Sequence, residues 1–92
     1  MEKKRVHVFI DGRVQMVGFR ASTRRKAHRL GINGWIKNLQ DGRVEVVAEG
    51  NEKQVEELID FLHQGPPAAR VENVQITDEK YQGEFEDFRI RF

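Results

Sequence analysis

Cysteine is absent from this 92-residue chain, which excludes a disulfide framework and a thiol nucleophile alike. Proline occurs only as the pair Pro66-Pro67, so the chain carries one sharp stop and no proline-rich linker. No apolar run approaches the length of a membrane span. Met1-Glu2-Lys3-Lys4-Arg5 leads straight into a strand pattern, without the apolar stretch of a signal peptide. A cytoplasmic protein with no membrane partner is the expectation. Without a linker or low-complexity tract, residues 1–92 read as a single domain, large enough for a two-layer core but with little margin.

Acidic residues are missing from one long stretch. Between Asp11 and Asp41 there is none, against seven cations: Arg13, Arg20, Arg24, Arg25, Lys26, Arg29 and Lys37. The net charge of +1 hides this asymmetry, because the nine other cations face all fifteen acids and leave the remainder at −6. One side of the molecule should attract anions while the rest repels them. For Arg24, Arg25, Lys26 and Arg29 a solvated helix face is the simpler reading, and it is compatible with a field that raises the encounter rate.

What is present reads as a strand-helix-strand unit written twice. The first has a strand at 5–11, a helix at 19–30 and a strand at 33–39. Phe19, Thr23, Ala27 and Leu30 form its apolar stripe, and Gly31 ends the helix. Gln40-Asp41-Gly42 makes a tight turn into a strand at 43–49. Asn51 is then a candidate N-cap, with Gln54 three places on. Val55, Leu58, Ile59 and Leu62 line one helix face, and Gly65-Pro66-Pro67 closes it. Strands at 71–77 and 85–91 follow. In the last, Phe88, Ile90 and Phe92 point one way and Asp87, Arg89 and Arg91 the other. A βαββαβ order predicts an α+β two-layer sandwich, with both helices on one face of an antiparallel sheet.

The segment between the first strand and the first helix is the most informative: Gly12-Arg-Val-Gln-Met-Val-Gly-Phe-Arg20. A strand, a glycine-containing loop and a helix with arginine in its first turn suit an anion. The helix start offers unpaired N–H groups and the positive end of the dipole, and Arg20 adds a planar fork of donors. Spacing alone equally fits an ordinary strand-to-helix connection with a surface arginine.

Gly12-Arg-Val-Gln-x-Val-Gly-Phe-Arg20, followed by Gly34-Trp35-Ile36-Lys37-Asn38-Leu39-x-Asp41-Gly42-x-Val44-Glu45, resembles the two signature segments of the acylphosphatase family. Glu49-Gly50-Asn51, Gly65-Pro66-Pro67 and Phe88-Arg89-Ile90 also sit where that family has similar residues, so the likeness covers nearly the whole chain. It implies a ferredoxin-like fold and hydrolysis of acyl phosphates to a carboxylate and inorganic phosphate, without a cofactor. Arg20 matches the arginine that binds the substrate phosphate in that family, and Asn38 matches its catalytic asparagine. Backbone amides of Gln15, Met16, Val17, Gly18 and Phe19 would supply a cradle for the phosphate. Met16 departs from the pattern: the family usually has glycine there. At positive φ methionine costs about 1–2 kcal/mol, so a weakly active or inactive anion-binding variant is the alternative.

The chemistry asks little more. A carboxylate leaves without a general acid, since its conjugate acid has a pKa of about 4. The transition state of phosphoryl transfer is loose, and catalysis consists mostly of positioning. His7, His28 and His63 are scattered without ligand spacing, so no metal is expected. Ser22 and Thr23 have no histidine paired in sequence, and Trp35 reads as a core or partly covered strand residue. RNA-recognition modules share the βαββαβ frame but stack bases on aromatics of central strands. Residues 43–49 carry no aromatic and two acids, so no nucleic-acid partner is expected. The expected partners are a small acyl phosphate and inorganic phosphate as product and inhibitor, acting on a monomer. Acylphosphatase-like domains also open large hydrogenase-maturation carbamoyltransferases; a stand-alone domain is the expectation here.

Overall fold

Alternation of β-branched residues with polar ones builds the first strand of the computed structural model, which describes residues 2–92. In β1 (Lys3–Arg13), Val6, Val8 and Ile10 are buried on one face, while Arg5, His7 and Phe9 turn to the other. Helix α1 (Phe19–Leu30) buries Phe19, Thr23 and Ala27, and its C-cap Gly31 adopts the left-handed conformation that glycine accepts freely. β2 (Asn33–Asn38) turns through residues 39–43 into β3 (Val44–Asn51). Helix α2 (Glu52–Gln64) buries Val55, Leu58 and Leu62. β4 (Arg70–Glu79) and β5 (Phe88–Arg91) complete the chain.

The five strands form one sheet in the order β4-β1-β3-β2-β5. Both helices pack on the face carrying Val6, Val8, Ile10, Ile36, Val44, Val46 and Ala48, and these side chains share one core with Phe19, Ala27, Leu58 and Leu62. Burying a Leu or Phe contributes about 1.5–3 kcal/mol, so this single layer of contact holds the domain together. Gly34 shows how tightly β2 meets β3: its φ is +147°, and a Cβ there would collide with the carbonyl of Val47.

Three details differ from the sequence-based expectation. The sheet is mixed rather than wholly antiparallel, because β5 pairs with β2 in parallel, Ile36 opposite Ile90. The cause is topological: the chain leaves β4 at one edge, crosses to the other and reverses, so β5 runs against β4 and along β2. The last strand is also shorter than 85–91. Residues 85–87 instead serve the crossing, with the Phe85 carbonyl accepting from Asn33 Nδ2 (3.2 Å) and the Asp87 carbonyl accepting from the Gly34 amide (2.8 Å). Asn51 occupies the N-cap of α2 with extended backbone but makes no side-chain cap bond. The Glu52 amide donates to the Glu2 carbonyl (2.9 Å), so a neighbouring strand end satisfies the first helical donor.

Candidate active site

The loop between β1 and α1 alternates the sign of φ. Met16 lies at +63° and Gly18 at +79°, while Val17 between them is on the negative side. Such alternation turns successive amides toward one side and makes a concave nest for an anion. Gly18 is the N-cap of α1, and no side chain caps the helix start. The first intrahelical bond runs from the Ser22 amide to the Gly18 carbonyl (3.0 Å), which leaves the earlier amides pointing outward. The first turn carries no acidic residue, so its dipole is balanced by nothing in its own sequence.

Arg20 and Asn38 open onto one cleft of about 180 Å³ with Val14, Met16, Gly18, Phe19, Ala21, Ile90 and Phe92. Arg20 reaches it from the first turn of α1, its guanidinium 5.1 Å from the centroid of the Phe92 ring. A cation at that distance from a ring is attracted by its quadrupole, although the Phe92 ring is itself exposed. Asn38 ends β2 on the helix-bearing face, in line with Gly34 and Ile36. Its Oδ1 is buried and has no hydrogen-bond partner among the described residues. A buried acceptor of that sort costs about 1–3 kcal/mol when unmatched, and it belongs to a residue that lines the cleft.

Of the five residues expected to form the cradle, Met16, Gly18 and Phe19 line the cleft; Gln15 and Val17 do not. Val17 packs against the core. The Gln15 side chain goes the other way, with Nε2 donating to the carbonyls of Leu39 (2.7 Å) and Arg43 (3.0 Å). It thereby ties the loop to the turn immediately after Asn38. That tether was not foreseen: both carbonyls already accept a backbone amide within the turn, from Gly42 and Leu39, and Gln15 adds a second donor to each. Met16 is fully exposed, so its side chain stands at the cleft rim and not in the core. Ile90 and Phe92 were placed on one face of the last strand without being assigned to the site. Parallel pairing sets Ile36 beside Ile90 and Lys37 beside Arg91, and Phe92, the next residue, lines the cleft with Asn38.

An ionic network on the opposite face holds that wall in place. Arg5 pairs with Glu79 (2.8 Å), Glu49 (3.2 Å) and Glu84. Glu49 accepts the amides of Gln82, Gly83 and Glu84 at 3.0–3.2 Å. It thus pins the crossing segment that delivers β5 to the cleft. Burial pushes the Glu49 carboxyl up, but the Gln82 amide, the Arg5 guanidinium and the Gly83 amide outweigh it and hold it below its ordinary value. Burial likewise opposes the charge on Arg5; bonds to Glu84, Glu79 and Glu49 overcome it and raise its pKa. A separate hollow beside Trp35, Phe85 and Arg91 contains neither Arg20 nor Asn38.

A ferredoxin-like domain with an uncapped helix start, a sign-alternating loop and an arginine at one cleft defines a class of small anion-handling proteins. The sequence profile of the acylphosphatase family matches residues 6–90. An acylphosphatase of Syntrophus aciditrophicus is 53% identical over 89 residues, covering 97% of this chain and 93% of that one. In structure, an acylphosphatase from Coxiella burnetii superposes with a TM-score of 0.91 at 42% identity, over 97% of this chain and 93% of that one. The Bacillus subtilis acylphosphatase gives 0.93 at 32% identity, over 97% and 99%. This chain belongs to the acylphosphatase family, enzymes that hydrolyse acyl phosphates. No helix among the described residues is long and apolar enough to cross a membrane.

Proposed function

We propose that the chain hydrolyses the carboxyl-phosphate bond, with Arg20 and the loop amides holding the phosphoryl group and Asn38 orienting the water. The observation that carries this reading is the sharing of one cleft by Arg20, Asn38 and the uncapped start of α1. Two guanidinium N–H groups take two phosphoryl oxygens as a fork, while the amides from Met16 to Phe19 approach the third. The carboxamide of Asn38, a residue of the cleft lining, accepts a hydrogen bond from the water and turns a lone pair toward phosphorus. The water oxygen bonds to phosphorus as the bond from phosphorus to the acyl oxygen breaks. The electron pair of that bond leaves on the carboxylate, and the water's proton passes to the phosphate product. No strong base is required, since charge on the loose transition state is stabilised by fixed donors.

Met16 supports a second, quantitative reading. Its φ of +63° is a conformation that costs a non-glycine residue about 1–2 kcal/mol, and the strain sits in the cradle itself. The enzyme then works below the rate its fold allows, still within the same reaction.

Arg20→Ala tests the main assignment. Inorganic phosphate, as product, should inhibit the parent competitively in the hydrolysis of acetyl phosphate. The variant should lose most activity and bind phosphate hardly at all in calorimetry, and Arg20→Lys should recover little because it lacks the planar fork. Parental phosphate affinity in Arg20→Ala would overturn the assignment.

A further inference from the structure

The cleft does not end at the phosphate site. Ile90 and Phe92, which form its wall, also line an adjoining shallow hollow with Arg24, Asp87 and Arg89. The two share an apolar partition, and each has a cation of α1 at its edge. Arg20 and Arg24 stand four residues apart on one helix face, about one turn or roughly 6 Å along the axis. Of the charges around the hollow, Asp87 is occupied: its Oδ1 accepts from Arg89 Nε at 2.9 Å. Arg24 takes part in no ion pair among the described residues. The hollow therefore keeps one guanidinium outside any ion pair among the described residues, that of Arg24, at the end of an apolar path that starts where the phosphoryl group would sit.

We propose that Arg24 is a specificity residue of this enzyme: it binds a second anionic group on the acyl half of the substrate, so that acyl phosphates whose chain ends in an anion are preferred over those with a neutral chain. The proposal rests on the reading that Arg20 holds the phosphoryl group, because that fixes which end of the substrate points toward Arg24. With phosphorus at Arg20, the acyl carbons run along Ile90 and Phe92, and a four-carbon chain is long enough to bring a terminal carboxylate to the next turn of the helix. The contact is made at an exposed guanidinium, so its effect is modest and falls with salt. It acts on binding of the whole substrate and appears in KM more than in kcat.

Succinyl phosphate and butyryl phosphate form a matched pair of probes, equal in chain length and differing in the terminal carboxylate. The parent should show the higher kcat/KM for succinyl phosphate at low ionic strength. Arg24→Gln should lower that value by about three- to tenfold, mostly through KM, and leave butyryl phosphate within about twofold. Arg25→Gln removes the same charge one residue away, from a side chain that bonds Ser22 (3.3 Å) and does not line the hollow; it should leave the ratio of the two substrates unchanged. Equal loss in the Arg24 and Arg25 variants would mean a general field and would overturn the proposal, as would an unchanged ratio in Arg24→Gln. Either result leaves the Arg20 assignment standing if phosphate affinity still depends on Arg20. Parental phosphate affinity in Arg20→Ala would instead remove the premise.

Discussion

Gln15 reaches across from the anion loop to the Leu39 carbonyl at 2.7 Å, bridging the segment that would hold phosphate and the strand end that carries Asn38. With the second bond to the Arg43 carbonyl at 3.0 Å, one side chain fixes the separation of the two halves of the site. In the proposed mechanism phosphate binding needs the loop and Arg20 alone, and attack by water needs the loop and Asn38 in register. Gln15→Ala should therefore lower kcat about tenfold, a size typical of lost alignment, while phosphate inhibition shifts by no more than about twofold. Stability should fall by about 1 kcal/mol for the lost bonds. Measuring kcat, the phosphate inhibition constant and urea unfolding together checks this, and equal losses in both kinetic quantities would mean that Gln15 shapes the cradle itself.

Asn38 offers a sharper split. Its Oδ1 has no partner to lose among the described residues, so truncation should leave the fold intact and even remove an unmatched buried acceptor. Asn38→Ala should reduce kcat by two or more orders of magnitude, about 3 kcal/mol of transition-state stabilisation. Inorganic phosphate should still inhibit at nearly parental concentration. Unfolding midpoints in urea should match or exceed the parent's; a large drop would make Asn38 a structural residue of the β2 end.

Glu49 supplies the pH prediction. Its folded-state pKa lies below the ordinary glutamate value, about 4.3 in an unfolded chain. The fold thus favours the ionised form. The resulting stability is complete above the unfolded value and is lost as pH falls through the folded one. Glu79, held down chiefly by its bond to Arg5, acts in the same direction. Removing one member of a buried ionic network costs about 3–5 kcal/mol when the partner is left alone. Arg5 keeps Glu79 and Glu84, so Glu49→Gln should cost about 2 kcal/mol at pH 7. Urea unfolding at pH 7 and at pH 3 should show the gap between parent and variant narrowing in acid; a constant gap would refute the linkage.

These residues also show where the sequence was legible. Periodicity delivered both helices because one face of each is buried and the other is not: Phe19, Thr23 and Ala27 in α1, and Val55, Leu58 and Leu62 in α2. The Arg20 and Asn38 positions came from motif resemblance, and the structure places both on one cleft. Long-range matters were out of reach. The parallel β2–β5 pair depends on where the chain goes after β4, and no local pattern in residues 80–87 states a destination. Glu49 looked like one more alternating strand residue, yet it is buried because three amides and Arg5 converge on it from distant segments. Ile90 and Phe92 read as core alternation and turned out to wall the site, which only the pairing with Ile36 could reveal.

Met16 is the remaining test, because its conformation is now fixed at φ +63° with the side chain fully exposed. Glycine at this position would give up no buried apolar surface. It would relieve about 1–2 kcal/mol of backbone strain against about 0.5–1 kcal/mol of added unfolded-chain entropy. Met16→Gly should therefore be as stable as the parent or more stable by up to about 1 kcal/mol. Its backbone should also approach the phosphate more closely, since no Cβ stands at the rim. Phosphate inhibition should tighten, and kcat/KM for acetyl phosphate should rise by about two- to fivefold, close to 0.5–1 kcal/mol. Parent and variant should be compared in the same buffer and salt, because the site binds an anion and screening alters both constants. Unchanged catalysis would show that methionine takes the left-handed conformation without disturbing the cradle. The strain would then be borne by folding stability alone, and the sequence departure at this position would carry no cost in rate.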